Sequence, residues 1–396
     1  MPEQKAIQST GPDLEAGTLS KPLDVSKVGC EGQQPEDEKN SSEDSSVFKS
    51  LGFLDRFLAA WIFLAMLIGI LLGNFVEGAG DALQKGKFAE VSVPIAIGLL
   101  VMMYPILCKV QYESLHSIFG QREVWLQMGF SVVVNWVVAP LFMLGLGWAF
   151  LPDEPHLRQG LILVGIARCI AMVLIWTGLA RGDGNYCAIL VAVNSLLQIV
   201  LYAPAALLFI KVFNPNFEED NHGADFNVNY STVATSVAVF LGIPLAAAVL
   251  TRLVLVKLVG MDWYMNRFIP FIGPWSLIGL LFTIIVLFAS QGARVVSQII
   301  SVLRVAAPLV VYFCIIFIGT LIFCRRVGFR YGLATTQAFT AASNNFELAI
   351  AVAVAAFGVH SDEALAATVG PLIEVPVLLG LVYVVRWYAR RQKWQD

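Results

Sequence analysis

Residues 160–176 read GLILVGIARCIAMVLIW, an apolar run with one charge, Arg168, and a cysteine, Cys169, beside it. About 20 apolar residues cross a bilayer as a helix, and a charge at the centre of such a helix costs roughly 2.5–3.5 kcal/mol on insertion scales. Two more runs repeat the pattern. AFTAASNNFELAIA (338–351) holds Glu347, and PLIEVP (371–376) places Glu374 between Pro371 and Pro376. Ionisable groups at membrane depth persist where they meet a partner, a water-filled cavity or a substrate. Arg168, Glu347 and Glu374 therefore point to a transport site.

The rest of the composition agrees. The chain has 396 residues, 57% hydrophobic and 14% charged, where soluble domains carry about 25% charged residues. An all-α polytopic membrane protein is expected. The acids are concentrated in residues 1–50, which hold ten Asp/Glu against five Lys/Arg and one aromatic, Phe48. That segment buries too little apolar surface to offset chain entropy and reads as a disordered acidic cytosolic tail, not a signal peptide. Its stretch from Ser41 to Ser46 reads either as a phosphorylation target or as a solvated tail. The six cysteines (Cys30, Cys108, Cys169, Cys187, Cys314, Cys324) show no CxxC spacing, so neither a disulfide framework nor a zinc site is expected. His116, His156, His222 and His360 all fall in predicted loops. No cofactor, ATP-binding domain or nucleic-acid partner is implied, and transport would be secondary.

Ten spans are predicted, near 57–75, 91–108, 124–151, 160–180, 186–212, 230–256, 271–290, 304–324, 332–358 and 363–385. The fourth, ninth and tenth are interrupted by polar residues, Gly or Pro. With the N-terminus inside, inner loops and the basic tail 386–396 carry thirteen Lys/Arg against six outside, among them Arg158 and Arg304, which places both termini in the cytosol. An acidic loop, 213–229, lies outside. Internal echoes divide the chain. Ile97-Gly98-Leu99-Leu100 recurs as Ile278-Gly279-Leu280-Leu281. An offset of 176 lays Gln198 over Glu374 and Arg168-Cys169 over Asn344-Asn345. Residues 51–212 and 230–385 thus read as two five-helix repeats, and an odd number of helices makes them inverted, an arrangement of secondary transporters with the site at mid-membrane.

Several side chains are nominated for the site. On an unbroken helix Cys169, Met172 and Trp176 share a face. A neighbouring cation favours thiolate over thiol and burial opposes it, so Cys169 reads as a soft ligand or as inert packing. Thr336, Thr340, Asn344 and Glu347 form a polar stripe, and Ser343-Asn344-Asn345 invites local unwinding. Glu347 reads as a proton carrier tuned by Arg168, or as half of a static ion pair or a helix-gluing hydrogen bond. Asn194 and Gln198 lie one turn apart. Glu374, between two prolines, is expected in irregular surroundings, and reads either as satisfying the open backbone of neighbouring broken helices or as a direct proton carrier. Trp148 and Tyr202 read as cavity walls or interface anchors.

Arg168-Cys169 with Trp176, Gly182-Asp183, Asn194 to Gln198, Ser343 to Ile350, and Glu374 with Pro376 resemble the arsenical-resistance arsenite efflux transporters, over essentially all of 51–385. The superfamily also contains bile-acid sodium symporters. The resemblance implies core and panel domains, with spans four and nine broken and crossing. It further implies export of arsenite, with antimonite in some members, in exchange for protons. Cys169 is then the arsenic(III) ligand. Arg168, Trp176, Asn194, Asn345 and Glu347 complete the substrate site, Glu347 and Glu374 couple protons, and Asn135, Gln198, Ser343 and Asn344 form the surrounding polar set. Plasma and vacuolar membranes both fit, and oligomeric state is left open. The competing readings are a sodium-coupled organic-anion symporter, a membrane enzyme with a Cys169 nucleophile, and a scaffold.

Overall fold

The computed structural model describes residues 57–76, 78–110, 122–212, 230–392 and 394. The predicted tail 1–50, the acidic loop 213–229, Cys30, His116 and His222 lie outside them. The described residues form an all-α polytopic membrane protein. Its helices are α1 (Leu58–Phe75), α2 (Val93–Cys108), α3 (Arg122–Val133), α4 (Ala139–Phe150), α5 (Pro155–Ile166), α6 (Met172–Leu179) and α7 (Gly184–Leu207). There follow α8 (Tyr230–Val237), α9 (Ile243–Val259), α10 (Ile269–Ser297), α11 (Ile299–Val327), α12 (Tyr331–Ala342), α13 (Phe346–Phe357) and α14 (Asp362–Gln392). A two-stranded hairpin, β1 (Lys87–Phe88) with β2 (Val91–Ser92), precedes α2. Six continuous helices, Trp125–Phe150, Gly184–Val212, Tyr230–Val259, Met261–Ser290, Ile299–Val327 and Asp362–Gln392, are long and apolar enough to cross a membrane.

Four of these long helices contain a wide π-type turn, at Val134–Val138, Leu208–Val212, Ala238–Gly242 and Tyr264–Phe268. The first, third and fourth are each followed two residues later by a proline, Pro140, Pro244 or Pro270. Proline lacks the N–H that would bond the carbonyl four residues back. The preceding residue bonds five back instead, Ala139 to Val134, Ile243 to Ala238 and Ile269 to Tyr264, so the helix continues through the interruption.

Two packing groups emerge. In one, α10 runs along α1 and α2, and α2 lies on α9. Glycine makes these contacts close. A Cβ on Gly69 or Gly73 would stand 2.7 or 2.4 Å from backbone oxygens of α10, one on Gly98 would meet Thr283, and one on Gly279 would meet the backbone of Met102. Small residues of this kind let helix backbones approach where lipid gives no hydrophobic drive. The other group joins α5 to α14, α4 to α5 and α11, and α11 to α12 and α14.

Three expectations are corrected here. Glu374 is not in an irregular segment, because α14 is helical through both Pro371 and Pro376; membrane helices absorb proline when neighbours compensate for the lost bond. His156 is not in a loop but in the first turn of α5, which Pro155 opens. Arg158 and Arg304 are not loop residues. Arg158 is buried in α5, with its guanidinium 3.8 Å over the Trp148 ring and bonded to the carbonyls of Leu151 and Pro152. Arg304 lies in α11.

Candidate functional site: two helix breaks that meet

The fourth predicted span is α5, a gap at 167–171, and α6. The ninth is α12, a gap at 343–345, and α13. The gaps pair with each other. Arg168 and Asn344 form an isolated antiparallel bridge, Asn345 N–H donates to the Ala167 carbonyl at 3.1 Å and Cys169 N–H to the Ser343 carbonyl at 3.4 Å. Backbone polar groups at membrane depth require partners, and side chains supply the remainder. Gln198 accepts from Arg168 N–H at 3.1 Å and donates to the Arg168 carbonyl at 2.7 Å, so its amide acts as a substitute peptide. Glu374 plays the matching part on the other chain segment, accepting from Asn344 N–H at 3.4 Å and from the Ser343 hydroxyl. Asn344 Nδ2 caps the end of α5 through the Val164 and Ala167 carbonyls. Asn345 Oδ1 caps the start of α13 by accepting from Leu348 N–H.

Arg168 is fully buried, and its guanidinium does not turn toward a carboxylate. It donates to the carbonyls of Gly165, Ile166 and Ala341 and to the Tyr312 hydroxyl. The carbonyl ends of α5 and α12 both carry partial negative charge, and Arg168 sits where they converge. Among the described residues no ion pair joins it to Glu347 or Glu374, so the static-pair reading of Glu347 is not what the structure contains.

The breaks also correct the two helical faces. Cys169 lies in the gap, so it does not share an unbroken helix with Met172 and Trp176, and only Thr336 and Thr340 of the proposed stripe lie on α12. Cys169 is 2% exposed, and the segment it bonds through its N–H carries Ser343, whose hydroxyl donates to Glu374. Glu347, in the first turn of α13, is half-buried and opens into a cavity of about 90 Å³ between α2, α6, α10 and α13 that Lys109, Ala171 and Met172 also line. Cys169 does not line that cavity; the residues two and three positions on do.

Several nominated side chains bring buried polar atoms with no hydrogen-bond partner: Trp176 Nε1, Asn194 Nδ2, Asn344 Oδ1, Asn345 Nδ2 and Asn135 Oδ1. Asn194 Oδ1 accepts from Trp136 at 3.2 Å, and Asn135 Nδ2 is held by Ser131. Tyr202 is neither an interface anchor nor exposed, since it is fully buried and donates to the Leu163 carbonyl at 3.0 Å. Sequence reasoning missed Tyr312, which bridges Arg168 to α12; one tyrosine inside an apolar helix was its signal. It also missed the buried Arg252 and Glu363.

Residues 96–298 match the family described as the Sodium Bile acid symporter family. The chain is 45% identical over 348 residues to the arsenical-resistance protein Acr3 of Corynebacterium glutamicum, covering 88% of this chain and 93% of that protein. The chain belongs to the arsenical-resistance Acr3 family. A second Acr3, from Alkaliphilus metalliredigens, is 30% identical over 346 residues, 85% of this chain and 93% of the relative. An uncharacterized transporter of Synechocystis is 34% identical over 365 residues, 86% and 91% of the two chains. Membership in the Acr3 family makes this chain a transporter rather than an enzyme or scaffold.

Proposed function

We propose that this Acr3-family chain exports arsenite from the cytosol in exchange for protons, with Cys169 as the thiol ligand and Glu347 and Glu374 as the proton-coupling pair. The observation that carries this reading is the Arg168–Asn344 bridge. It brings a thiol, two carboxyl groups and the N-terminal ends of α6 and α13 to one locus. Arsenic(III) is thiophilic, and As(OH)₃ is neutral with three hydroxyls. One cysteine holds it without the grip of three, and the buried, unpartnered atoms of Trp176, Asn194, Asn344 and Asn345 suit its hydroxyls. Arg168 serves as the strut that keeps two helix ends together, rather than as the activator of the thiol.

The same proposal takes the chain as ten spans in two inverted five-helix repeats, 51–212 and 230–385, with both termini cytosolic. Residues at equivalent repeat positions support it by playing equivalent parts. Arg168 pairs with Asn344, and Gln198 and Glu374 each support the backbone of one of them. Gly98 packs on Thr283 while Gly279 packs on Met102. The group α1, α2, α9 and α10 is then the panel, and the breaks lie in the core.

Transport of arsenite into proteoliposomes under a proton gradient, a sodium gradient or neither tests the reading. Proton-driven exchange is expected, with loss of at least tenfold in Cys169→Ala and retention when Cys108, Cys187, Cys314 and Cys324 are replaced. A Cys169→Ala protein at wild-type rate removes the ligand role. Sodium-coupled uptake of an organic anion is the second reading, favoured by the family description and by the oxygen atoms of Asn344 and Glu374 at the crossing. Replacement of sodium by choline separates the two.

A further inference from the structure

The cavity at Glu347 is built by helices of different packing groups. α2 and α10 supply Met102, Lys109 and Ser276, and α6 and α13 supply Met172 and Glu347. Lys109 and Glu347 are the charged residues among those that line it, Ser276 is the other polar one, and the rest are Met, Leu, Ile and Ala. The Lys109 head lies along α10. A Cβ on Gly273 would stand 3.6 Å from its Nζ, and Ser276 marks the same turn by donating to the Gly273 carbonyl at 2.7 Å. An ammonium and a carboxyl group on separate walls thus share a space of about 90 Å³, room for a handful of waters. Apolar surroundings and little water leave their interaction weakly screened.

α13 packs mainly on α14, α8 and α5, and α6 on α7, α12 and α14, whereas α2 packs on α10 and α9. Secondary transporters alternate access by moving one bundle against another. Such a motion keeps partners within a bundle together and changes the separation of Lys109 from Glu347. The other titratable groups around α13 lack this property. Glu374 is held by Ser343 and Asn344, Cys169 by the backbone of Ser343, and Arg168 by the ends of α5 and α12, so all three travel with the crossing. His156, Asp362 and Glu363 line the cavity at the far end of α13. α8, the turn Ala238–Gly242 and β2 also lie against α13 and carry no charged residue.

We propose that Lys109 is the positioning residue that drives proton release from Glu347 on the face that the positive-inside count makes cytosolic. With the cavity formed, the ammonium favours the carboxylate over the acid. The Glu347 O–H bond breaks, the proton passes to cavity water, and the lysine stays protonated. Motion of α13 away from α2 withdraws the ammonium, and Glu347 then binds a proton supplied from the opposite face. The inference rests on the proton-exchange reading above and supplies the state dependence that such exchange needs.

The test uses the full chain in proteoliposomes of one orientation. Proton-driven arsenite exchange is measured against pH on the cytosolic face, and arsenite self-exchange is measured with no pH gradient. Lys109→Gln is expected to lower proton-driven exchange several-fold at neutral cytosolic pH, to recover it when that face is made alkaline by about one unit, and to retain self-exchange. Lys109→Arg is expected to restore the wild-type profile. Lys257→Gln removes a cation of the same face outside the cavity and is expected to keep the wild-type midpoint. Should Lys109→Gln fail to fold, Lys109→Met carries the test. A wild-type pH midpoint in the neutral variant overturns the inference. So does a loss that alkaline pH does not recover or that self-exchange shares, which marks a structural role. A wild-type protein indifferent to the proton gradient overturns the exchange reading, and this inference with it.

Discussion

The guanidinium of Arg168 spans acceptors on α5, α11 and α12. A planar fork with five donors does this; an ammonium on a flexible stem is a point charge and does not. Arg168→Lys is therefore expected to lower the thermal unfolding midpoint in detergent by several degrees as well as transport. Unchanged stability with lost transport would instead place the guanidinium on the substrate. At this scale the sequence picked out residues that the structure brings together at the crossing better than it foresaw their contacts. Arg168-Cys169 stood out because a charge in an apolar run is costly, but adjacency along the chain did not mean that the cation faces the thiol. Gln198 was nominated for its polarity, whereas its part as a substitute peptide depends on a backbone thirty residues away. Arg158 and Glu363 were passed over because charges near helix ends are ordinarily solvated.

The two helix breaks differ in how they are encoded. Ser343-Asn344-Asn345 carries the side chains that compete with helical bonding, and its unwinding was legible. Residues 167–171, Ala-Arg-Cys-Ile-Ala, contain no glycine or proline, and nothing local stops a helix there. That break is imposed from outside, by Gln198 and the facing 343–345 segment. Conversely, the two prolines of α14 suggested an interruption that does not occur. Gly370 is where elements lock: a Cβ there would lie 1.7 Å from the Phe346 ring, and Phe346 opens α13 beside Glu347. Gly370→Ala is expected to cost about 1–3 kcal/mol through overpacking and to reduce transport by displacing the start of α13. Detergent unfolding read alongside transport checks it, and trimming Phe346 to Leu in the same protein is expected to recover part of both losses.

Across the whole molecule, two cavities lie toward opposite ends of α13: the hairpin stands across from α13 and α14 where His156 lines one, and α2 stands across from α13 where Glu347 lines the other. Between α4 and α5, Asp153 is clasped by Arg304 of α11. The guanidinium holds that carboxyl below the ordinary carboxylate range. A lowered folded-state value contributes stability above the unfolded value, and the contribution is lost only as pH falls through the lowered one. The stability difference between wild-type protein and Arg304→Gln is thus expected to stay constant from neutral to mildly acidic pH and to shrink only in strong acid. Any response of transport to mild acidification must then come from other groups.

Arg168 spends its donors on carbonyls and a hydroxyl, and among the described residues no carboxylate pairs with it. In the proton-exchange reading proposed above, one of the two nearby glutamates would carry the proton, and As(OH)₃, being neutral, would add nothing to the charge that crosses. One proton inward for one uncharged solute outward would then move net current. A potential of 100 mV is worth about 2.3 kcal/mol per elementary charge, so clamping the voltage with potassium and valinomycin should change the rate of exchange even when both sides are held at the same pH.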